Sequence, residues 1–241
     1  MSRFNDLKIL YHLSLKPIRG ATQQQRLENF YSGQAVHYDE FRKRLLHGRE
    51  ELYRGLPLKE NAVWVDFGGG TGSQLETVAD QIGMLEEVCL VDLSTSLLNL
   101  ARQRVQRNQW SNVRIVEDDV RHFTPSSQHA DLVTFSYSLT MIPDWIGALE
   151  QARKILKPGG HIGLVDFYVS HKYPEHDLRR HAWFTRTFCP AWFAMDNVFL
   201  SPDHLAWLRR NFQTVRLEEK MARIPYMPGL RVPYYLFLGR L

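Results

Sequence analysis

The sequence predicts an α/β protein with a doubly wound, mostly parallel sheet, closed by a C-terminal antiparallel strand pair and preceded by an N-terminal helical segment. Three observations predict it. From Asn61 onward, short apolar runs alternate with longer amphipathic ones, the rhythm of strand–helix units joined by right-handed crossovers. The last two apolar runs follow one another with no helical pattern between them. The first run leads into "VWVDFGGGTG", residues 63–72, whose consecutive glycines would cost backbone entropy in any regular element. They belong to a loop that something approaches closely.

Taken in order, residues 1–60 form the N-terminal helical segment and 61–241 the main body of a single domain. Pro17 ends the opening stretch, and Thr22 is a plausible N-cap for one or two helices over "QQQRLENFYSGQAVHYDEFRKRLLHGREEL". "AVWVDF" is the first strand, and "SQLETVADQIG" a helix ending at Gly83. "EVCLVDL" is the second strand, followed by a helix over "TSLLNLARQRVQRN" with Leu97, Leu98, Ala101 and Val105 on one face. "VRIVEDD" and "DLVTFSYSL" are the third and fourth strands. "DWIGALEQARKIL" is a helix stopped by "KPGG", and "HIGLVDFYV" is the fifth strand. Residues 171–200 break the rhythm and form an aromatic-rich insert. "SPDHLAWLRRNF" is a last helix capped by Ser201, and "QTVRLEEKM" with "VPYYLFLGRL" is the closing strand pair.

Composition narrows the function. The 241 residues are 44% hydrophobic and 23% charged, ordinary for a soluble globular protein with a sizeable core. No apolar run approaches the ~20 residues of a membrane span, and "MSRFNDLKILYHLSLK" makes a poor signal peptide. Cys89 and Cys189 are the only cysteines, so neither a disulfide framework nor a cysteine metal site is expected, and a reduced, cytoplasmic setting fits. The net charge of +4 suits anionic lipid or nucleic acid but is common to many enzymes with neither partner.

The glycine loop is the chemical centre. The dinucleotide fingerprint G-x-G-x-x-G fails, because its third glycine position is Ser73. The spacing is instead G-x-G-x-G, with Gly68, Gly70 and Gly72, and Asp66 stands just before it. A carboxylate there would repel a pyrophosphate but suits a ligand carrying an ammonium. Asp92, at the end of the second strand, is placed to accept both hydroxyls of a ribose, with Leu93 beside it. At the end of the third strand, Asp119 is positioned to hydrogen-bond an exocyclic amine and Val120 to pack on an aromatic base. Ser136, closing the fourth strand, completes the set. Ammonium, ribose and adenine in series describe S-adenosyl-L-methionine. The alternative is that these acids are solvated loop residues.

From Asn61 to about Gly239 the chain resembles class I S-adenosylmethionine-dependent methyltransferases, with "KPGG" before the fifth strand as a further hallmark. The resemblance implies a Rossmann-like domain, an antiparallel terminal hairpin and a helical lid formed by the N-terminal segment. Three groups of motifs are similar to the methyltransferase half of betaine lipid synthases: "FYSGQAVHYDEFRKRLLHGREEL", "WVDFGGGTG" with "LVDLSTSLLNLAR", and "SYSLTMIPDWIGALEQ" with "GLVDFYVS". Those enzymes trimethylate the amine of diacylglyceryl-homoserine. The resemblance implies a lipid substrate and a separate aminocarboxypropyl transferase as partner, and no nucleic acid is expected.

An alkylammonium product favours aromatic faces. Tyr31 and Tyr38, seven residues apart, share one face of the lid helix, and Tyr137 follows the fourth strand where the acceptor normally sits. Tyr31, with Phe30, and Tyr137 also read as core contacts. Trp145 and Tyr168 lie near the same edge, Trp145 more as packing than as cage. The spacing of His171, His176 and His181 does not align on one helical face, so no metal site is expected; His171 is the candidate proton acceptor. For a bilayer substrate, "LKILYHLSLKPIR" and the insert "HAWFTRTFCPAWFAMDNVF" are candidate peripheral membrane contacts or covers of the sheet edge. Competing acceptors are a phosphatidylethanolamine amine and a quinone ring carbon. A nucleic-acid methyltransferase is disfavoured by "SYSL" in place of an "NPPY"-type loop, and an inactive cofactor-binding scaffold by the intact loop acids.

Overall fold

The computed structural model describes residues 22, 24, 25, 28, 45–224 and 229–241. Most of the expected lid, including Tyr31 and Tyr38, lies outside the described residues, as does the stretch "LKILYHLSLKPIR".

Helix α1 (Arg49–Arg54) leads into β1 (Val63–Phe67). After the glycine loop, a 3-10 segment (Ser73–Val78) runs into a single helical turn, α2 (Ala79–Ile82), then β2 (Glu87–Asp92), α3 (Thr95–Arg107) and β3 (Val113–Glu117). Next come β4 (Ala130–Ser136), a short 3-10 turn (Leu139–Met141), α4 (Trp145–Ile155) and β5 (Leu156–Phe167). The insert contributes α5 (Trp183–Ala194), followed by α6 (His204–Asn211) and the hairpin of β6 (Gln213–Arg223) and β7 (Arg231–Arg240). The seven strands lie in the order β3-β2-β1-β4-β5-β7-β6. The first five are parallel, and β7 runs antiparallel to both β5 and β6.

Alternation along the central strands decides which face each residue serves. Val63, Val65 and Phe67 of β1, with Cys89 and Val91 of β2, enter one apolar cluster together with α4 and α6. Trp64, Val88 and Leu90 point the other way and pack with Leu52 and Tyr53 of α1 and with Leu98 and Ala101 of α3. Both faces are covered, as a parallel sheet requires, and both cysteines are free and buried. Val105, expected on the buried face of α3, is only partly buried against that cluster.

Four local expectations are corrected. "SQLETVADQIG" is not one regular helix: Gly72 is left-handed (φ 68°), and the Gln74 side chain is drawn back onto Asp66 and the Gly69 carbonyl, so the segment winds tightly as a 3-10 turn. "VRIVEDD" pairs only as far as Glu117, because Asp118 and Asp119 turn away into a loop. "KPGG" does not precede β5 but lies within it, as a bulge that shifts the register against β4 between Ala130 and Leu132, with Gly159 at φ 78°. Ser201 does not cap α6; Asp203 holds that position, and the Ser201 hydroxyl accepts the Asp203 N–H at 3.1 Å instead.

Candidate functional site

The carboxyl ends of β1, β2 and β4 converge on the glycine loop. Gly68, Gly70 and Gly72 all have positive φ, at 68°, 55° and 68°. Gly68 has a second reason to be glycine, since a Cβ there would lie 2.3 Å from the Cβ of Ser138. Gly70 differs: the nearest atoms to a Cβ would be Leu97 Cδ1 at 3.5 Å and Asp92 Oδ2 at 4.0 Å. The loop therefore presents open backbone at its middle glycine. Asp92 clamps it: Oδ2 accepts the Gly70 N–H and Oδ1 the Ser94 N–H, each at 2.9 Å. Leu93 packs with Leu97 and Met141 at the rim. Glu28, in the N-terminal segment, accepts from the Ser94 hydroxyl at 3.1 Å and from the Ser96 N–H at 3.2 Å, so that segment meets the start of α3 beside Asp92.

Asp66 is turned inward. It is fully buried; its Oδ1 accepts from the Tyr53 hydroxyl (2.9 Å) and the Thr134 hydroxyl (2.6 Å), and its Oδ2 from Gln74 Nε2 (2.6 Å). Burial raises its carboxyl pKa, against the lowering effect of those hydrogen bonds. Gln74 also donates to the Gly69 carbonyl at 2.7 Å, so Asp66 reaches the loop through an amide. Ser136 sits on the same side, accepting from Arg49 Nε at 3.1 Å, while Arg49 Nη2 donates to Gln74 at 3.0 Å. This brings Asp66, the glycines, Asp92, Leu93 and Ser136 into one neighbourhood.

Asp119 lies beyond β3, where its carboxylate is taken up by Arg121, with Nη2 to Oδ2 at 2.6 Å; that guanidinium holds the carboxyl below its ordinary value. Val120 is buried in the cluster with Phe67 and Phe123. Tyr137 is 4% exposed and has a left-handed backbone (φ 53°), uncommon for a bulky residue and a mark of a conformation imposed by its surroundings. Its hydroxyl donates to the His47 carbonyl at 2.5 Å, and its ring lies 4.6 Å from that of Phe167. His171 is at the surface, about half exposed, with Nε2 2.8 Å from Asp203 Oδ1. Among the described residues, no hydrogen bond or ring contact joins it to the glycine loop or to Tyr137. Trp145 packs edge-on to His204, and Tyr168 is tied to Glu219 and His181. Among the described residues no group of three or more potential ligands could hold a metal.

Sequence reasoning missed several residues. Tyr53, Thr134 and Gln74 carry no local signal for partnering Asp66, because their roles depend on strand and helix placement. Asp166 did carry one, as an acid inside the apolar run of β5. It is fully buried and accepts from the Thr140 hydroxyl (2.8 Å) and N–H (3.2 Å) and from the Phe167 N–H (2.8 Å), yet burial still pushes its carboxyl up to about 6.

An open parallel sheet with a glycine loop after β1, an acid clamping it from β2 and an antiparallel terminal hairpin defines a class of group-transfer enzyme. The chain belongs to the methyltransferase-domain family, whose model matches residues 38–216. It is 24% identical over 149 residues to a demethylmenaquinone methyltransferase of Lactobacillus johnsonii, covering 59% of this chain and 61% of that one. It is 21% identical over 224 residues to a demethylmenaquinone methyltransferase of Bacillus velezensis, covering 90% and 94%. In three of the curated relatives the matched part spans only 61 to 63% of their length. Among solved structures, phosphoethanolamine N-methyltransferase 2 of Haemonchus contortus, in complex with phosphomonomethylethanolamine and S-adenosylhomocysteine, shares the fold. Its TM-score is 0.68 at 16% identity, over 92% of this chain and 60% of that one.

Proposed function

We propose that this methyltransferase transfers methyl groups to the amine of a membrane lipid, converting diacylglyceryl-homoserine to the betaine lipid diacylglyceryl-trimethylhomoserine. The methyl donor is S-adenosyl-L-methionine, which supplies an electrophilic methyl on a sulfonium. The residues of the loop suit it. Open backbone at Gly70 leaves room for a ligand to lie close, and Asp92 ends β2, where an acid that meets ribose hydroxyls sits in open α/β sheets. The buried carboxylate of Asp66 adds negative potential under the loop through Gln74, which suits the ammonium end. Asp119 would serve an adenine amine only in competition with Arg121.

One observation carries the lipid-amine reading. A series of rings runs outward from the end of β4: Tyr137 to Phe167 (4.6 Å), Phe167 to Phe193 (5.0 Å), Phe193 to Trp192 (5.2 Å), Trp192 to Phe188 (5.9 Å) and Phe188 to Phe184 (4.9 Å). It joins the acceptor end of the sheet to the face of α5, where Trp183 is 72% and Phe184 55% exposed. Large apolar side chains exposed together suit a bilayer surface. Ring faces near the transferred methyl suit an amine that becomes quaternary. Membrane contact would be peripheral, since no helix among the described residues is long and apolar enough to cross a bilayer. The chain's own part is to position the acceptor, exclude water and favour positive charge, which is most of what an in-line methyl transfer needs.

The test is expression in a host lacking betaine lipids, alone and beside an aminocarboxypropyl transferase, with mass spectrometry of the lipids. Trimethylated homoserine lipid only when both are present is the expected result, and its absence rejects the reading. A second reading, methyl transfer to a quinone ring carbon, is favoured by the Bacillus velezensis relative, which aligns along almost the whole chain. A methylated quinone in the same extracts would identify that acceptor instead.

A further inference from the structure

Asp196 is a carboxylate in a costly position. It stands two residues past the end of α5, a 12-residue helix, where the negative end of the helix dipole disfavours an anion. Its N–H donates to the Phe193 carbonyl at 3.0 Å, and Asn197, at φ 58°, ends the turn. Its Oδ1 is closed off from solvent and has no hydrogen-bond partner. Burial alone raises its carboxyl to about 7, with no neighbouring cation counteracting it. The residue is half-buried, and Oδ1 is the one carboxylate oxygen that is both shut from water and unpaired, a position that costs free energy unless a donor or cation meets it.

The surroundings say what that cation would be. The segment that carries Asp196 returns to the acceptor end of the sheet, with the Phe199 N–H donating to the Thr140 carbonyl at 2.8 Å. Val198 packs, as Leu93 does, against the cluster of Leu97 and Met141 at the rim of the glycine loop. Phe193, one helical turn before Asp196, belongs to the aromatic series that includes Tyr137 and Phe167. A metal ion would need several more oxygen ligands, and the described residues offer no such group. One carboxylate on a turn that adjoins the aromatic series through Phe193 instead matches an ammonium bearing methyl groups.

We propose that Asp196 is the counter-ion for the cationic head of the acceptor, drawing an ammonium or alkylammonium group to the carboxyl ends of β4 and β5. This rests on the amine-acceptor reading above. Asp196 would act on the bound head group, and the loop acids on the cofactor.

The probe is choline, compared with its uncharged isostere 3,3-dimethylbutan-1-ol. Binding to the full chain would be measured by calorimetry in the presence of S-adenosylhomocysteine, for wild type and Asp196→Asn. The expected result is choline binding weakened about tenfold or more in the variant, with the alcohol and S-adenosylhomocysteine bound equally well by both proteins. The melting temperature should be unchanged or higher, since a half-buried carboxylate with an unpaired oxygen is removed. Equal choline affinity in the two proteins, or an equal loss for choline and the alcohol, would overturn the proposal. So would a lower melting temperature in the variant, which would reveal a structural partner. The choline contrast reads Asp196 alone and the lipid mass spectra read the acceptor, so either can fail without the other.

Discussion

The Gly70 N–H donates to Asp92 Oδ2 at 2.9 Å, so the acid that ends β2 holds the loop after β1 in shape. Asp92→Ala should then do two things at once. It removes charge-assisted acceptors for the ribose, weakening S-adenosyl-L-methionine by about 2–4 kcal/mol, and it frees the loop. Calorimetry with S-adenosylhomocysteine checks the first effect and thermal unfolding the second. Unchanged affinity would remove Asp92 from the site.

Gly70 and Gly68 should part company. At Gly70 an added side chain meets nothing closer than 3.5 Å, so Gly70→Val strains a left-handed residue by about 1–2 kcal/mol but fills the space above the loop. Cofactor binding should be lost from a folded protein. At Gly68 a Cβ would collide with Ser138, so Gly68→Ala should lower stability first, read as a drop in melting temperature. A Gly70 variant with normal affinity would show that the cofactor lies elsewhere.

Asp166 should make stability fall as pH rises. Its folded pKa, about 6, lies above the ordinary carboxylate value near ~4, so the folded state binds the proton more tightly than the unfolded state. The contribution is fully present below pH ~4 and is lost as pH rises through about 6, amounting to about 3 kcal/mol. Asp166→Asn should flatten that part of the stability profile measured by denaturant titration between pH 4 and 7. An identical slope in both proteins would contradict the assignment.

Tyr137 is expected to matter for the later methylations. A neutral amine gains little from a ring face, whereas each added methyl removes an N–H and leaves aromatic faces worth about 0.5–2 kcal/mol each. Tyr137→Leu should accumulate mono- and dimethyl lipid. Tyr137→Phe, which loses only the hydroxyl bond to the His47 carbonyl, should do so less. If Tyr137→Leu slows every methylation equally, the ring is packing alone.

The exposed face of α5 should govern vesicle binding. Replacing Trp183, Phe184 and Phe188 together with serine removes exposed apolar area without touching the glycine loop. Sedimentation with anionic vesicles should fall while affinity for S-adenosylhomocysteine stays the same. Equal sedimentation of both proteins would make these rings a cover for the acceptor.

Much of the fold was readable from the chain alone, because its signals are local. Apolar alternation marks strands and the 3.6-residue period marks helices. All seven strands appear where alternation put them, apart from their ends. The glycines at 68, 70 and 72 were legible for the same reason, since a left-handed backbone is a property of single residues. What the chain alone could not reveal is partnership across long separations. Arg49 meets Ser136 across 87 residues, Tyr137 meets the His47 carbonyl across 90, and Thr134 meets Asp66 across 68. No periodicity encodes such pairs, because they exist only once β4 lies beside β1 and α1 packs over both. The same holds for Asp66 turning inward, for His171 pairing with Asp203 at the surface, and for the Asp196 Oδ1 left without a partner. Sequence pattern decides which residues are apolar, turning or charged. Only packing decides which polar atoms are answered from within the protein and which are not.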